Sequence, residues 1–367
     1  MNFLINTMTH WEEPPRARHY VAKSLSKNNN VVYVGANKLG MPSIKETQIH
    51  ENLKVLTPYF PIDNRARYRL PVINELYQYW LFRKIARKYR DYRVINFDFT
   101  ATRIFEFFHD VIYYCNDSFS MISKVLNNPV IAKYHQWCEA RVTAKSKFCV
   151  GISGLIVDEL QRYNSNIIEI PLGSPDIDEF NIKMNESPSN NKTISVGLMA
   201  VVKNLNISSE VINSILDDDS INLSVIGPIE NGYMNQIQKK DKITILGPLY
   251  GRNLYDKLNE FDVTIAPYST SKAKEIFTGT GSKIYHYLSM GKPVVISYMA
   301  GLNQLNIQDK LIYIADKEED FRRLIHKAHD ENSHELIMQR IAFAKNNTWN
   351  KRMEQLIDFY LQMDSVS

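Results

Sequence analysis

The sequence predicts an α/β protein made of two Rossmann-like, doubly wound units. Short apolar segments such as "NVVYVGA" and "RVINFD" alternate with longer amphipathic segments in the first half of the chain. The second half repeats the alternation with "TISVGLM", "INLSVIG", "DVTIAPY" and "KPVVIS". Strands that alternate with helices form parallel sheets of the doubly wound kind. A chain of 367 residues is also too long for one ordinary hydrophobic core.

One polar segment separates the two series of elements. Residues 181–193, "NIKMNESPSNNKT", have no apolar period, as is typical of a linker. We therefore expect one unit at residues 1–180 and a second at 194–345, with residues 346–367 as a final helix that is a candidate to cross back to the first unit. The predicted helices are "ARHYVAKSLSK", "VIAKYHQWCEARVTAKS", "NISSEVINSIL", "LYDKLNEF", "KIYHYLSM" and "NTWNKRMEQLIDFYLQM".

Composition limits the classes of function. The net charge of +4 suits anionic ligands or a membrane surface and is too small for a dedicated nucleic-acid-binding protein. Cys115, Cys138 and Cys149 lack the spacing of a metal site and indicate a reducing compartment. No apolar run approaches the ~20 residues that span a bilayer, and the N-terminal "MNFLIN" is typical of a strand and not of a signal peptide. We expect a cytoplasmic protein.

Residues 64–93 depart from the regular pattern because they mix Arg, Lys, Tyr and Trp with only two acidic side chains. From Asn74 onward the segment predicts a helix with Tyr77, Trp80, Leu81 and Ile85 on one side; its cations, on the other faces, are Arg83, Lys84, Arg87 and Lys88. A basic aromatic helix of this kind lies well on an anionic membrane. An ordinary surface helix, with its aromatic side chains in the core and its charges in water, fits the same composition equally well.

The loops after the strands are the expected ligand site, because doubly wound sheets bind ligands at the carboxyl ends of their strands. In the second unit Lys203 and Lys283 lie in such loops, and a glycine-rich loop at residues 278–282 precedes a helix whose free N–H groups suit an anion. Two lysines beside a glycine loop favour a diphosphate over the simpler reading of solvated lysines.

No metal site is expected. The acidic runs "DID" at residues 176–178 and "DDD" at residues 217–219 lie in the predicted linker and before a strand, away from any strand's carboxyl end. No Cys/His cluster suggests zinc. We therefore expect lysines and backbone N–H groups, and not a metal ion, to neutralise the charge of a diphosphate.

The second half resembles the donor-binding half of the GT-B glycosyltransferases, in particular the bacterial family 4-like enzymes of glycosyl transferases group 1. Three stretches carry the resemblance: "VGLMAVVKNLN", "GPLYGRNLYDKLNEFDVTIAPY" and "GTGSKIYHYLSMGKPVV". The last is the most specific, and the similarity is continuous from about residue 150 to residue 360. The resemblance implies the GT-B architecture, two Rossmann-like domains facing a cleft, with the acceptor domain first and the nucleotide-sugar domain second.

By this resemblance the donor is a nucleoside diphosphate sugar, with uridine the favoured base. The family usually has two glutamates in the third stretch; His286 occupies the place of one and Thr278 the place of the other, while Glu275 lies nearby as a substitute. His286 then makes a hydrogen bond to the ribose, or is a half-buried helix residue. The implied donor-binding residues are Lys203, Gly247, Pro248, Leu249, Tyr250, Glu275, Thr278, Gly279, Thr280, Gly281, Ser282, Lys283 and His286.

The first half offers two candidate general bases. "VIYYCNDSF" resembles a strand–Asp element of capsule and teichuronic-acid glycosyltransferases, which suggests Asp117, and Asp98 ends the strand "RVINFD" as a rival. Either aspartate alone fits a helix cap equally well. Arg16, Arg18 and His19 follow the first strand and are candidates to contact a phosphate of the acceptor or donor.

Together these observations and the resemblance predict a glycosyltransferase that moves a sugar from a nucleoside diphosphate sugar, with UDP favoured, to a hydroxyl of a glycan or lipid-linked acceptor. The expected role is bacterial surface polysaccharide synthesis, such as that of capsule or exopolysaccharide. We expect no cofactor and no nucleic acid, and the basic aromatic segment is a candidate for peripheral contact with the inner face of the plasma membrane. Two alternatives stay open: a GT-B-fold sugar-nucleotide epimerase, and a non-catalytic membrane- or nucleic-acid-binding protein with a degenerate donor site.

Overall fold

The computed structural model describes residues 1–117, 128–187, 192–203, 206–269, 281–299, 301–302, 307 and 309–366. The chain forms two compact units, one of Met1–Pro171 with Trp349–Ser367 and one of Leu172–Thr348. The described part of each unit contains one sheet with helices packed against it. No helix among these residues is both long and apolar enough to cross a bilayer.

The sheet of the first unit has nine strands, in the order β3-β5-β2-β1-β6-β7-β8-β9, and β4 pairs antiparallel with the edge of β5. All its other strand pairs are parallel. The central strand β1 is fully buried at Phe3, Leu4 and Ile5. The strands are β1 Asn2–Asn6, β2 Asn30–Val34, β3 Lys38–Leu39, β4 Ser43–His50, β5 Leu53–Phe60, β6 Arg93–Asn96, β7 Val111–Cys115, β8 Phe148–Gly151 and β9 Ile167–Glu169.

The helices of the first unit include the last helix of the chain. The rings of Tyr20 on α1 and Trp349 on α11 stack at 5.8 Å, and the Ser24 hydroxyl donates to Asn350 Oδ1 at 2.7 Å. The C-terminal helix α11 therefore covers the same face of the sheet as α1. The helices are α1 Ala17–Ser26, α2 Asn64–Arg67, α3 Pro71–Tyr89, α4 Pro129–Lys145, α5 Gly154–Leu160 and α11 Trp349–Val366.

The predicted helix in the basic aromatic segment is confirmed as α3. Tyr77, Leu81 and Ile85 are buried against the sheet, and Trp80 is half-buried with its ring 6.0 Å from that of Phe60. The apolar side of the helix therefore belongs to the core, which is the second of the two readings that the sequence left open.

The sheet of the second unit has six parallel strands, in the order β12-β11-β10-β13-β14-β15. Its strands are β10 Ile194–Met199, β11 Ile221–Ile226, β12 Ile243–Gly247, β13 Val263–Ala266, β14 Val294–Ser297 and β15 Ile312–Ala315. Its helices are α6 Ser209–Leu216, α7 Gly251–Asn259, α8 Ser282–Ser289, α9 Asp320–Asp330 and α10 His334–Asn346.

Each sheet has a switch point, where successive connections leave in opposite directions and where such sheets bind ligands. It lies between β1 and β6 in the first unit and between β10 and β13 in the second. A buried side-chain hydrogen bond joins the first pair of strands, from Asn6 Nδ2 to Asn96 Oδ1 at 2.8 Å. In the second unit the Tyr287 hydroxyl on α8 accepts from the Met199 N–H at 2.8 Å and donates to the Ile265 carbonyl at 3.3 Å.

The turn after β11 must approach the loop after β10 closely. Gly227 has φ +127°, and a Cβ on it would lie 2.0 Å from the Ala200 carbonyl oxygen. Its N–H also donates to the Gly247 carbonyl at 2.8 Å. Only glycine fits both the conformation and the space.

We predict that Gly227→Ala lowers the thermal midpoint of the second unit far more than Gly232→Ala. Gly232 also has positive φ, at +90°, but a Cβ there meets nothing within 4 Å. The control therefore carries only the backbone strain, about 1–2 kcal/mol, whereas Gly227→Ala adds a backbone clash. Differential scanning calorimetry measures the difference, and equal midpoints for the two variants would contradict the close approach.

Candidate functional site

Helix α8 begins at the switch point of the second unit. The two hydrogen bonds of Tyr287 fix the helix against β10 and β13, and Gly281 begins it with φ +75°. A Cβ on Gly281 would lie 3.4 Å from the Tyr268 hydroxyl. The N–H groups of the first turn of α8 therefore start beside the carboxyl end of β13, where an anion can accept from them.

Lys283 lies in that first turn. Its Nζ is 4.6 Å from the centre of the Tyr268 ring, and the side chain is only partly buried. Lys203 follows β10, is exposed, and its carbonyl accepts the N–H groups of Asn206 and Ile207 at 2.9 and 3.0 Å. The structure thus places both predicted lysines at the carboxyl edge of the same sheet, Lys203 in a loop and Lys283 in the first turn of α8.

The loop between β12 and α7 presents backbone groups at the same edge. Gly247 has φ +69° and Gly251 φ +55°, and between them Pro248 and Tyr250 are exposed while Leu249 packs partly on the core. The loop therefore presents backbone groups and the exposed Tyr250 ring at this edge.

His286 lies on the side of α8 that faces α7. Its Nδ1 is 2.9 Å from the Tyr255 hydroxyl, and the two rings stack at 5.9 Å with an angle of 13°. Burial lowers the pKa of His286 to about 4, so the imidazole is neutral at pH 7. The side chain is held by a packed tyrosine and carries no charge, which leaves it only hydrogen-bonding chemistry.

Four predicted donor-binding residues lie outside the described residues: Glu275, Thr278, Gly279 and Thr280. Of the predicted glycine loop the structure describes Gly281 and the exposed Ser282. These two residues connect directly to the first turn of α8.

Asp98, one candidate base, follows β6 in the first unit. Both of its carboxylate oxygens already accept hydrogen bonds from neighbouring residues. Its Oδ1 accepts from the Thr100 N–H at 2.8 Å and from the Thr100 hydroxyl at 2.7 Å, and its Oδ2 accepts from the Tyr68 hydroxyl at 2.8 Å. The side chain is 5% exposed. This geometry makes Asp98 the cap of its own turn, which is the simpler of the two readings of the sequence.

Asp117, the other candidate, follows β7 at the same edge. Asn116 Nδ2 donates to its Oδ2 at 3.2 Å. Desolvation raises the pKa of Asp117 to about 6, although the Arg18 and Arg16 guanidiniums act in the opposite direction. The residue as a whole is nonetheless exposed, so it has an open face. A carboxylate with a pKa close to neutrality and an open face is suited to accept a proton.

Arg16 and Arg18 differ in their surroundings. Arg16 is exposed and pairs with Glu13 at 3.5 Å. Arg18 is 6% exposed, and its guanidinium carbon lies 6.0 Å from the centre of the Phe97 ring, just past the end of β6. Arg18 therefore reaches the switch point of the first unit, while Arg16 stays at the surface.

His19, the third predicted phosphate contact, caps α1 instead. Its Nδ1 accepts the Arg16 N–H at 3.1 Å, so the proton is on Nε2, which donates to the His10 carbonyl at 3.1 Å. Burial lowers the pKa of His19 to about 4, and the ring packs between Trp11 and Tyr33. Both ring nitrogens are used and the ring is neutral, which excludes a charged contact with phosphate in this arrangement.

The acidic run at residues 217–219 is paired with cations. Asp217 is 2.7 Å from Lys239, Asp219 contacts Lys242, and Asp218 is 2.8 Å from His326 Nε2. Among the residues that the structure describes, no group of three or more His, Cys, Asp or Glu side chains is arranged to hold a metal ion.

Three tyrosines that shape the site were not singled out from the sequence: Tyr287, which fixes α8; Tyr68, which donates to Asp98; and Tyr268, which packs under Lys283. A buried tyrosine hydroxyl usually has a hydrogen-bond partner, so the sequence "KIYHYLSM" could have predicted that Tyr287 forms such a bond. Which groups bond to it could be learned only from the folded structure.

We predict that His19 makes the first unit sensitive to acid. The folded pKa of about 4 lies below the unfolded value of 6.5, so the unfolded chain binds the proton first as the pH falls. The free energy of unfolding should drop between pH 6.5 and pH 4, by about 3 kcal/mol from this group, and change no further below pH 4.

Urea unfolding of the parent and of His19→Gln at pH 7.5, 6, 5 and 4 measures this effect. His19→Gln should be less stable at pH 7.5 but lose less stability on acidification, while the exposed His109 provides the control His109→Gln. An equal pH slope for the parent and His19→Gln would contradict the capping role.

Comparison with known proteins gives one family match and several solved structures of similar fold. Residues 190–330 match the family described as glycosyl transferases group 1. HepE of Anabaena, solved with UDP, has a similar structure with a TM-score of 0.68 at 11% identity, and the similarity covers 99% of this chain and 100% of HepE. No curated protein matches the sequence significantly.

Two further solved structures are similar over their full length. Sucrose-phosphate synthase of Thermosynechococcus elongatus has a TM-score of 0.74 at 12% identity, covering 100% of this chain and 99% of the enzyme. An α,α-trehalose-phosphate synthase of Burkholderia xenovorans, solved with glucose-6-phosphate, has a TM-score of 0.70 at 11% identity, with coverage of 98% and 99%. The chain has the fold of the GT-B glycosyltransferases, and its residues 190–330 match the group 1 family. The fold class and the enzyme class predicted from the sequence are confirmed.

Proposed function

We propose that this glycosyltransferase moves a sugar from a UDP-sugar to a hydroxyl of a glycan or lipid-linked acceptor in bacterial surface polysaccharide synthesis. The observation that carries the donor assignment is the position of Lys283 in the first turn of α8, at the switch point of the second unit. A lysine and a helix N-terminus together suit a diphosphate.

In this proposal Lys203, Lys283 and the N–H groups from Gly281 onward meet the charge of the diphosphate. That charge grows as the glycosidic bond breaks, so fixed positive groups lower the barrier. They supply the charge without a divalent cation, and we propose transfer that is independent of metal. The backbone N–H and carbonyl groups of residues 247–250 form hydrogen bonds with the base, and neutral His286 forms a hydrogen bond with the ribose.

HepE was solved with UDP and also with UDP-glucose. The group 1 match covers the unit that holds the proposed donor site in this chain. The first fact supports a uridine nucleotide as the donor, and the second supports the position of the donor site. The role in surface polysaccharide synthesis rests on the sequence resemblance.

Asp117 is the proposed general base in the first unit. It accepts the proton of the acceptor hydroxyl as that oxygen attacks the anomeric carbon. The occupied carboxylate of Asp98 makes it the weaker candidate, because its three hydrogen bonds come from its own turn and from Tyr68. This role requires direct attack by the acceptor; an epimerase would form its products from the sugar nucleotide alone.

We predict that Lys283→Ala weakens UDP binding by roughly 1.5–3 kcal/mol, the range for a charge-assisted contact, with little loss of folding stability. Lys240→Ala, which removes an exposed cation of the same unit, is the matched control. Isothermal titration calorimetry with UDP gives both affinities. Equal affinities for Lys283→Ala and the control would refute the diphosphate assignment.

A separate incubation tests the epimerase alternative: conversion of a UDP-sugar to its epimer without any added acceptor would reveal an epimerase.

We also propose that the first unit lies on an anionic membrane through α3 and α4. The outward stripe of α3 is apolar in its first half, where Val72 and Leu76 are 72% and 63% exposed, and basic in its second half, at Arg83 and Arg87. The guanidinium of Arg83 lies 6.0 Å from the Tyr79 ring. This combination suits insertion among lipid headgroups.

Helix α4 extends the same surface. Both helices follow right-handed crossovers in the same direction across the sheet and therefore cover the same face. The Tyr134 hydroxyl connects them, accepting from Asn74 Nδ2 at 3.0 Å and donating to Glu75 at 3.1 Å. Trp137 on α4 is 51% exposed, with the Arg141 guanidinium 5.6 Å from its ring. An exposed tryptophan beside a cation is typical of a membrane interface.

We predict that the protein co-sediments with phosphatidylglycerol vesicles and is released as salt rises. Replacing Arg83, Arg87, Lys133 and Arg141 with glutamine should abolish binding, because each cation near the surface contributes about 1 kcal/mol. A control with the same change of charge replaces four exposed cations of the second unit: Lys240, Arg252, Lys310 and Arg322. Equal sedimentation of the two quadruple variants would contradict a surface on α3 and α4.

A further inference from the structure

Arg18 is a buried cation at the switch point of the first unit. It is the second residue of α1, it is 6% exposed, and its guanidinium lies against Phe97, the first residue after β6. Phe97 itself donates its N–H to the Asn6 carbonyl at the end of β1. The guanidinium therefore sits where the ends of the two central strands meet.

Within the described residues the Arg18 guanidinium forms no hydrogen bond and no ion pair, and its Nε is fully buried without an acceptor. The hydroxyls of Tyr33 and Tyr68 are close enough to act on Arg18 electrostatically, but each donates elsewhere, to the Thr9 carbonyl at 3.1 Å and to Asp98 Oδ2 at 2.8 Å. A buried charge without a partner is strongly unfavourable and is normally compensated by an opposite charge.

Asp117 does not supply that compensation in the described structure. The two side chains interact electrostatically but form no ion pair, and Asp117 Oδ2 accepts from Asn116. Arg16, the other cation of this loop, is already paired with Glu13. The position thus holds a guanidinium with open donors, next to a carboxylate that is not bound to it.

We propose that Arg18 binds a phosphate group of a substrate at the carboxyl edge of the first unit. A guanidinium offers several N–H donors in a fixed plane, which matches two oxygens of a phosphate. The first turn of α1 adds the positive end of a ten-residue helix. The partly desolvated site strengthens the contact, since water does not compete there.

This proposal rests on the proposed glycosyltransferase function and refines its substrates. A phosphate at Arg18 comes either from the donor diphosphate or from a phosphorylated acceptor, such as a sugar phosphate or a lipid-linked diphosphate. In the second case the phosphate is held by Arg18 while the acceptor hydroxyl is directed to Asp117. The two sources differ in whether UDP and phosphate compete.

The test compares the parent with Arg18→Met, which keeps an unbranched side chain of similar length and removes the charge. Lys23→Met, an exposed cation on the same helix, is the matched control. Isothermal titration calorimetry is performed with UDP alone, with inorganic phosphate alone, and with inorganic phosphate in saturating UDP. The parent's UDP affinity separately tests the donor site of the second unit.

We expect Arg18→Met to lower the affinity for at least one of these ligands by tenfold or more, while Lys23→Met binds both ligands with the parent's affinity. A weaker UDP affinity identifies the donor phosphate. Loss of the phosphate binding that persists in saturating UDP identifies an acceptor phosphate. We also expect the ligand-free melting temperature of Arg18→Met to be equal to the parent's or higher, because the variant removes an unpaired buried charge.

The proposal is overturned if Arg18→Met binds UDP and phosphate like the parent in all three titrations. It is also overturned if its melting temperature falls by several degrees without any change in binding, because Arg18 would then be a structural cation of the folded unit. If the parent does not bind UDP, but binds phosphate and Arg18→Met does not, the UDP-donor assignment fails and the phosphate site stands.

Discussion

The arrangement of this protein depends on buried hydrogen bonds that hold together the two strands at each switch point. At these positions successive crossovers leave in opposite directions, so no connecting segment covers the strand ends. In the first unit the Asn6–Asn96 side-chain bond joins β1 to β6, and in the second the Tyr287 hydroxyl joins α8 to β10 and β13. Each bond satisfies buried polar groups that would otherwise be costly, and each fixes the positions of the loops that follow.

Those loops contain two kinds of polar side chain. Asp98 and His19 use their polar atoms on neighbouring backbone and side-chain groups, and so stabilise the loops. Arg18, by contrast, is buried and remains unpaired within the described residues, and Lys283 lies over an aromatic ring at the start of a helix. The first kind builds the site and the second kind is available to a ligand. A rigid frame with a few open cations is what transfer from a diphosphate donor requires, because the transition state concentrates negative charge on the leaving group.

Much of the fold was predictable because alternating strand and helix periods leave few topologies. The strands that sequence reasoning missed have physical reasons. β4 is an exposed, highly polar edge strand, and β5 contains Pro58, which pairs with Ile44 of β4. An edge strand carries little apolar pattern, and proline argues against a strand. The C-terminal helix was recognised by its pattern, but its stacking of Trp349 on Tyr20 depends on the tertiary structure.

The position of the candidate site could be predicted from the sequence, but the roles of its individual residues could be predicted less well. Asp98 and Asp117 look alike in sequence, since each ends a strand, and only the hydrogen bonds of Asp98 distinguish them. His19 and Arg18 are neighbours in sequence, yet one caps the helix and the other is unpaired, because their side chains leave α1 in different directions. Such differences depend on contacts between distant segments, which local patterns do not contain.

Hydrogen–deuterium exchange with and without UDP tests the central claim most directly, because it locates the nucleotide on the whole chain at once. The account predicts that UDP slows exchange at the carboxyl edge of the second sheet: in the loop after β10, in the turn before α7 and in the first turn of α8. Slower exchange confined to the opposite edge of that sheet, or no change anywhere at saturating UDP, would contradict the assignment of the donor site.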